Sequence, residues 1–201
     1  MLKIYNTDIT TNSFSRIDNY EIGCWVNLVN PTEEEIDSVC NALNIKKNFM
    51  VNMLDMDEKP RIDEEDGCNM LLLDVPFKEK KNKMEAVVSM PLGILVVRDD
   101  YIVTLSKEKF KIVDEFTEGI VKGFFTYKKS RFVIQLIYRV SLLYLKTLRD
   151  IDNKIEIAES KILTATKNEE LLNLLALENS LTYIITALRS NGVVLDKLTR
   201  Y

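Results

Sequence analysis

The sequence predicts an α/β fold: a three-layer α/β/α sandwich with a mixed sheet, followed by a long antiparallel helical hairpin. Short strand patterns alternate with short helices in the first half of the chain, and an uninterrupted helical pattern begins near residue 128. Only 6 glycines and 4 prolines occur in 201 residues, which favours regular structure over long loops. We therefore expect a sandwich domain at residues 1–125 and, at residues 126–201, a hairpin that packs on it and projects from it.

The first strands and the first helix follow from local signals. Short strands are predicted at residues 1–5, 13–18 and 24–29. Thr32-Glu-Glu-Glu35 is a capping box, in which the Glu35 amide donates to the Thr32 hydroxyl and the Glu35 carboxylate accepts from the Thr32 amide. A helix therefore begins here. Its buried face is predicted to contain Ile36, Val39, Cys40 and Leu43.

A second short helix and three further strands complete the predicted sandwich. The helix spans about residues 46–55. Pro60 ends it, because a proline keeps the preceding residue out of the helical region. Its apolar side contains Phe49, Met50, Met53 and Leu54. Strands are predicted at 69–76, 89–98 and 101–105, the last two as a hairpin. Residues 92–97 are apolar in succession, so helices should cover both faces of that strand.

The predicted hairpin has two long helices. In the first, apolar residues recur at steps of three or four from Val133 to Ile162, which is the helical period held for eight turns. Residues 142–145 are apolar all round the helix and should contact both the sheet and the partner helix. Thr166-Lys-Asn-Glu169 is a second capping box and begins the next helix. The inner face of that helix is predicted to contain Leu171, Leu174, Leu177, Leu181, Ile184, Leu188, Leu195 and Leu198.

Composition excludes several classes of function. The chain has 27 basic and 31 acidic residues and no basic stripe, which argues against nucleic-acid binding; the lysine cluster at residues 78–83 is interpreted as a solvated turn. Histidine is absent, so imidazole catalysis is excluded and any metal must be held by oxygen. No nucleotide-binding, hydrolase or zincin motif occurs, and we expect no enzyme.

The cysteines and the apolar runs predict a soluble, cytosolic chain. Cys24, Cys40 and Cys68 form no disulfide framework and no CxxC pair, which fits a reducing compartment. The longest apolar runs, residues 70–73 and 92–97, fall short of the ~18 residues that a membrane-spanning helix needs.

The acidic segment, residues 51–66, is the stretch that predicts chemistry. It holds seven acidic side chains and two basic ones, a net charge of −5 (−7 + 2). Asp55, Asp57 and Glu58 follow a short helix, and carboxylate oxygens are the ligands that Mg²⁺ and Ca²⁺ prefer. EF-hand spacing is lacking, so two interpretations stay open: a divalent-cation site or a solvated acidic rim.

Six motifs occur along the chain in a fixed order. They are Trp25-Val-Asn-Leu-Val-Asn-Pro-Thr-Glu-Glu-Glu-Ile36, Asp57-Glu-Lys-Pro-Arg-Ile62, Pro91-Leu-Gly-Ile-Leu-Val96, Tyr101-Ile-Val-Thr-Leu105, Leu148-Arg-Asp-Ile-Asp-Asn-Lys-Ile155 and Ser180-Leu-Thr-Tyr-Ile-Ile-Thr-Ala-Leu-Arg189. Together they resemble the cytoplasmic amino-terminal domain of the CorA-type magnesium transporter family. The resemblance implies an α/β/α sandwich followed by two slanting helices.

The resemblance also implies a setting and an assembly. In the family a stalk and two transmembrane helices follow this domain, and a homopentamer binds regulatory Mg²⁺ at its subunit interfaces. A soluble domain at the cytoplasmic face of the cell membrane, attached through a segment after Tyr201, is therefore implied. Without that segment we expect a monomer or a weak dimer.

The metal ligands implied by the resemblance are only partly present. A carboxylate pair expected shortly before the Pro-Arg step falls here on Val51 and Asn52, and another position falls near Tyr138. Asn52 still offers a carbonyl oxygen. Either sensing has moved to the three carboxylates of the acidic segment named above, or this chain senses weakly.

We therefore expect a regulatory, non-enzymatic domain that senses divalent cations for a CorA-like Mg²⁺ transporter. One alternative is a domain of a related Zn²⁺ or Co²⁺ transporter, because ion selection belongs to the pore. Another is a free-standing helical-hairpin adaptor that binds a partner protein. A gene that continues into a stalk and two apolar segments of ~20 residues favours a transporter, whereas a stop codon after Tyr201 favours the adaptor.

Overall fold

The computed structural model describes residues 1–81, 84–164 and 168–200, with side chains outside 80–84 and 162–170. Within these residues it contains a seven-stranded sheet and five helices. The strands are β1 (Leu2–Thr7), β2 (Phe14–Ile17), β3 (Trp25–Val29), β4 (Arg61–Glu65), β5 (Cys68–Lys81), β6 (Met84–Val97) and β7 (Tyr101–Ser106). The helices are α1 (Glu33–Leu43), α2 (Lys47–Asn52), α3 (Lys111–Thr117), α4 (Lys129–Thr164) and α5 (Asn168–Leu198).

The sheet is mixed. Its strand order is β2-β1-β3-β7-β6-β5-β4. β3 and β7 run parallel with Trp25 opposite Ile102, while the other neighbouring pairs of the described sheet are antiparallel. The mixed sheet predicted from the sequence is confirmed.

Helices cover both faces of this sheet. α1 and α2 lie on one face, where Val39 and Met50 pack in a core with Val26. α3, α4 and α5 lie on the other face, where Phe116 and Phe132 pack around the Trp25 ring. Neighbouring residues of a strand point to opposite faces, so β3 contributes to both cores. The predicted three-layer sandwich is confirmed, and the helical hairpin forms most of its second helical layer.

The capping box at the start of α1 also ties the helix to the sheet. The Glu35 amide donates to the Thr32 hydroxyl at 3.2 Å, and the Glu35 carboxylate accepts from the Thr32 amide at 3.0 Å. The other oxygen of that carboxylate accepts from the Leu2 amide of β1 at 2.8 Å. The four residues predicted to form the buried face of α1 are buried.

β5 and β6 are longer than the sequence predicts. Each has 14 residues, and β5 continues through residues 78–81, where the lysine cluster predicted a solvated turn. That prediction is wrong for the described part of the cluster, because ion pairs hold this end of the strands on α4. Lys78 pairs with Asp150 at 3.2 Å, and Lys154 pairs with Glu85.

The leucine pattern misplaces the inner face of α5. Leu171 and Leu188 were predicted to be buried but are exposed. The side chains that turn inward repeat at steps of three and four, and several are small or polar: Leu177, Ser180, Ile184, Ala187, Asn191 and Val194. Small and hydrogen-bonding residues let this helix approach the strands closely. A search for apolar periodicity does not identify such residues as buried.

The central part of α4 is half exposed. Tyr144 is buried and Leu143 is partly buried, but Leu142 and Leu145 are exposed, so the prediction that residues 142–145 are enclosed all round is wrong for these two. The side chain of Ile162 and the capping box at residues 166–169 lie outside what the structure describes. The division into domains at residues 1–125 and 126–201 stays a prediction.

α5 is the one helix in the described chain that is long and apolar enough to cross a membrane by length and composition. Its mean hydropathy over the tested window is 1.4, although polar residues interrupt every apolar run. The core helix of a soluble protein meets the same criterion. Here Ile184, Ala187 and Val194 are buried in the core against the sheet.

Candidate functional site

The acidic segment runs from the end of α2 through a turn into β4, the edge strand of the sheet. Met50 and Met53 are fully buried and fix its first part on the core. Met53 lies so close to β6 that a Cβ at Gly93 would be 2.7 Å from the methionine sulfur. The exposed residues that follow Met53 are therefore held in a defined place at the edge of the domain.

Internal contacts occupy part of the predicted ligand set. The Asp57 amide donates to an Asp55 carboxylate oxygen at 3.0 Å, which shapes the turn. Glu58 forms an ion pair with Arg61, whose guanidinium also binds Asp63 at 2.5 Å. A cation would have to displace an arginine to use Glu58.

Two further acids of the segment, Glu65 and Asp66, are paired with a lysine. Lys46 bonds to Glu65 at 2.5 Å and to Asp66 at 2.9 Å, and these hydrogen bonds raise the pKa of Lys46. In the ranges that the structure describes, Asp55 and Asp57 have no basic partner, and no three acidic or cysteine side chains form a group that could hold a metal ion. The metal site predicted at Asn52, Asp55, Asp57 and Glu58 stays a prediction.

Of the positions that the family resemblance would give to carboxylates, Val51 and Tyr138 carry no carboxylate here and are exposed. Val51 is 44% exposed, and Tyr138 on α4 is 60% exposed. Met56, in the turn after α2, is a further exposed apolar side chain of the acidic segment. The alkyl side chain of Val51 offers no oxygen to a hard cation, so this position cannot take the family's carboxylate role.

α4 carries a second unusual surface. Ile134, Tyr138, Leu142 and Leu145, the α4 stripe, are between 38% and 61% exposed. Residues 128–149 contain six basic side chains and no acidic one. The sequence pattern did not predict this surface, because the apolar period of α4 indicates only which residues face the core and not which other apolar residues are exposed.

A buried polar contact joins the hairpin to the sheet. The Asn191 side chain bonds to the backbone of Asp74 in β5, and the Tyr144 hydroxyl donates to the Asp74 carbonyl at 3.0 Å. Burial raises the pKa of the Asp74 carboxyl to about 6. Nothing in the apolar periodicity predicted this contact.

The sequence profile described as "CorA-like Mg2+ transporter protein" matches residues 20–201. The chain belongs to this family. Its members are transporters, not enzymes, and the acidic segment and α4 of this CorA-like chain both lie within the matched region.

A curated relative supports the assignment. The Cobalt/magnesium transport protein CorA of Methanocaldococcus jannaschii is 24% identical over 185 residues, which is 88% of this chain and 55% of the relative. This CorA-like chain thus spans about half the length of the curated relative that it matches.

Solved structures show the same fold. The complete CorA magnesium transporter of M. jannaschii matches with a TM-score of 0.83 at 18% identity, over 100% of this chain and 63% of that one. The soluble domain of the same protein matches with a TM-score of 0.82 at 19% identity, over 97% and 77%. The ZntB cytoplasmic domain of Vibrio parahaemolyticus matches with a TM-score of 0.72 at 12% identity, over 98% and 78%.

Proposed function

We propose that this chain is the cytoplasmic regulatory domain of a CorA-like divalent-cation transporter, located at the cytoplasmic face of the cell membrane and assembled as a homopentamer. The match of the family profile to residues 20–201 is the observation that carries this proposal. The likeness to a soluble domain, over 97% of this chain, supports the cytoplasmic location. We also propose that residues 1–125 and 126–201 are its sandwich and hairpin parts.

Cation sensing in this proposal rests on Asp55 and Asp57. Both carboxylates are exposed at the domain edge, and the Asn52 amide is exposed nearby in sequence. Divalent cations that bind here neutralise the acidic segment, whereas their loss restores repulsion between negative surfaces brought close together. Binding is weak, because Glu58 is already paired with Arg61.

Ion flux through the full-length gene product tests the proposal. The protein is reconstituted in liposomes, and entry of Mg²⁺ is followed with a trapped indicator dye. We expect Mg²⁺ flux that falls as the cation concentration on the cytoplasmic side rises, and a weaker fall for Asp55→Asn/Asp57→Asn. Glu58→Gln is the matched control, since its carboxylate is engaged. Absence of flux for every divalent cation would contradict the proposal.

A second candidate is the domain of a Zn²⁺ or Co²⁺ transporter. The likeness to the ZntB cytoplasmic domain favours it, as does the description of the curated relative as a cobalt/magnesium transport protein. The same liposome assay with Zn²⁺ and Co²⁺ separates the two candidates. If the gene encodes no stalk and no pair of apolar segments of ~20 residues, the adaptor alternative replaces both.

A further inference from the structure

A cavity of about 480 Å³ lies between the sheet and the ends of the two long helices. Its floor is formed by β4, β5 and β6, and its walls are the first turns of α4 and the last turn of α5. Its volume is in the range of cavities that hold small molecules in proteins. Nothing in the proposed cation sensing uses this cavity.

The register of the strands divides the floor into an apolar row and a polar row. Ile62 of β4 lies opposite Leu71 of β5, and Leu71 lies opposite Ile94 of β6. Two residues further along the same strands, Glu64 lies opposite Asn69. Residues two apart in a strand point to the same face, so both rows face the cavity. The floor therefore offers an apolar surface beside hydrogen-bonding groups.

Charges of both signs reach the cavity. Glu64 and Asp99 contribute carboxylates and Lys129 an ammonium group, and none of these three forms an ion pair within the described chain. Glu65, the next residue of β4, is in contrast paired with Lys46. Unpaired charges beside an apolar floor are available to a ligand.

The start of α4 adds donors for a negative group. Lys129 and Ser130 are the first two residues of this helix, and both line the cavity. The first amides of a helix have no carbonyl partner inside it, and the helix dipole places a partial positive charge there. A carboxylate at this wall would therefore contact the Lys129 ammonium group as well as helix amides.

We propose that this cavity binds a zwitterionic amino acid with a large apolar side chain. The ammonium group of the ligand pairs with Glu64 and Asp99, and its carboxylate pairs with Lys129 and the start of α4. Its side chain lies on the apolar row of the floor. A ligand with one sign of charge would leave part of this complementarity unused. The site shares no residue with the cation site proposed above, and it does not depend on ion transport.

A second groove, between α4 and α5, does not offer the same complementarity. Its lining consists of Glu178 and five apolar side chains, Ile155, Leu171, Leu174, Leu175 and Leu181. Nothing in this lining distinguishes one apolar partner from another.

Three probes that differ by one charged group test the proposal. L-Tryptophan carries both charges, tryptamine lacks the carboxylate, and indole-3-propionate lacks the ammonium group. Each is titrated into the isotope-labelled 201-residue chain, and its dissociation constant is measured from the NMR shifts of the amides in β4, β5 and β6. We expect L-tryptophan to bind at least about tenfold more tightly than either analogue, which corresponds to about 1.4 kcal/mol.

Charge variants assign the two ends of the ligand. Lys129→Gln should weaken L-tryptophan about tenfold without weakening tryptamine, which has no carboxylate to lose a partner. Glu64→Gln/Asp99→Asn should weaken L-tryptophan without weakening indole-3-propionate. Lys128→Gln and Asp100→Asn are the matched controls, because each removes one charge next to a lining residue and neither residue lines the cavity.

Four results would overturn the proposal. Equal affinity for the three probes would mean that only the indole ring is recognised. Tighter binding of either analogue than of L-tryptophan would mean a site for one sign of charge. An equal loss in the control variants would mean general electrostatics. An absence of amide shifts at ~10 mM L-tryptophan, where a millimolar ligand would occupy most sites, would mean that the cavity does not take this class of ligand.

The full-length gene product supplies a further comparison. Leu198, at the end of α5, lines the cavity, so any segment that follows α5 begins close to it. Binding of L-tryptophan by the 201-residue chain but not by the full-length product would mean that such a segment fills the cavity, and the proposal would be wrong. Binding by both is the expected result. These titrations involve no ion flux, so their failure leaves the liposome test of the proposed function intact.

Discussion

Asn191 of α5 forms two hydrogen bonds to the backbone of Asp74 in β5. Its Oδ1 accepts from the Asp74 amide at 2.9 Å, and its Nδ2 donates to the Asp74 carbonyl at 2.8 Å. β4 pairs with β5 only as far as Leu72, so beyond that residue Asn191 takes the place of a strand partner. On the other strand of this β-hairpin, beyond the reach of β7, the Ser180 hydroxyl accepts from the Val87 amide at 2.9 Å.

Removing the Asn191 side chain should destabilise the protein. Asn191→Ala leaves the Asp74 amide N–H without a partner, although the carbonyl keeps its bond from the Tyr144 hydroxyl. An unsatisfied buried group costs about 1–3 kcal/mol, so we expect the free energy of unfolding to fall by about 2 kcal/mol. Urea denaturation followed by circular dichroism measures this change.

Thr186→Ala is the control for that measurement. Thr186 is exposed on the same helix, and its hydroxyl donates to the Thr182 carbonyl one turn earlier. We expect a change within about 0.5 kcal/mol, as for other exposed positions. Equal losses for Asn191→Ala and Thr186→Ala would show that the contact with β5 adds nothing to stability.

Asp74 should give the protein a pH-dependent stability. Burial raises the pKa of its carboxyl in the folded state to about 6, above the unfolded value of about 3.9. The folded state therefore favours the protonated form, and this stabilisation is fully present below about pH 4 and lost as the pH rises through about 6. Asp74→Asn should remove the loss and be the more stable protein at pH 7.

Urea denaturation at several pH values between 4 and 7 checks this prediction. The expected advantage of Asp74→Asn at pH 7 is on the order of 1 kcal/mol, because solvent screens a carboxyl that is only partly buried. The backbone bonds to Asn191 remain in the variant, since they do not involve the side chain of residue 74. Stability curves that run parallel across the whole pH range would contradict the prediction.

Leu148 and Leu145 test the two sides of α4. Leu148 packs partly buried against the core on the hairpin side, whereas Leu145 is exposed on the α4 stripe. Leu→Ala at a buried site typically costs 2–5 kcal/mol, so the half-buried Leu148 should lose about 2 kcal/mol of unfolding free energy. Leu145→Ala should change it by less than about 0.5 kcal/mol. A Leu148→Ala loss as small as that of Leu145→Ala would show that the hairpin is not held on the sheet.

The sequence predicted the elements whose signals are local. The capping box of α1 has the hydrogen bonds expected from Thr32 and Glu35, and the helical period of α4 holds from Phe132 to Ala158. These signals lie within a few residues of each other along the chain. Tertiary context therefore had little power to override them.

The elements that the sequence missed depend on partners far along the chain. β4 consists of Arg-Ile-Asp-Glu-Glu and looks like a charged loop, yet its backbone pairs with Leu72 and its neighbours. The inner face of α5 includes Ser180 and Asn191, which are buried because strand edges need their hydrogen bonds. From sequence alone, a polar residue in a helix is predicted to be exposed, because its hydrogen-bond partner on a distant strand is not known.

The composition of the sequence predicted where the candidate site lies, but not how its side chains are paired. The concentration of acids marked residues 51–66, and the pairing of Glu58 with Arg61 became visible only in the folded structure. The α4 stripe was missed because its leucines and tyrosine look like core residues in an apolar pattern.

Mg²⁺ should stabilise the folded domain weakly through Asp55 and Asp57. With a Kd of ~1 mM, ~10 mM Mg²⁺ adds roughly 1.4 kcal/mol to the free energy of unfolding by mass action. Asp55→Asn/Asp57→Asn should abolish most of this gain. Glu58→Gln should keep it, because Arg61 already engages that carboxylate.

Thermal denaturation with Mg²⁺, and with NaCl at matched ionic strength, measures this stabilisation. The NaCl samples separate binding from general screening, which acts on all exposed charges alike. Stabilisation of equal size in the wild type and in the Asp55/Asp57 variant would mean that Mg²⁺ acts only by screening. The acidic segment would then be a solvated rim and not a cation site.

The 201-residue chain on its own should be a monomer, or at most a weak dimer, at micromolar concentration in EDTA. The exposed apolar side chains of the α4 stripe lie on one helix face, whereas stable interfaces generally bury about 1,200–2,000 Å². Light scattering coupled to size exclusion measures the mass in EDTA and again in Mg²⁺. A stable pentamer in EDTA would mean that the sandwich and hairpin carry the whole assembly, and metal loss could not loosen it.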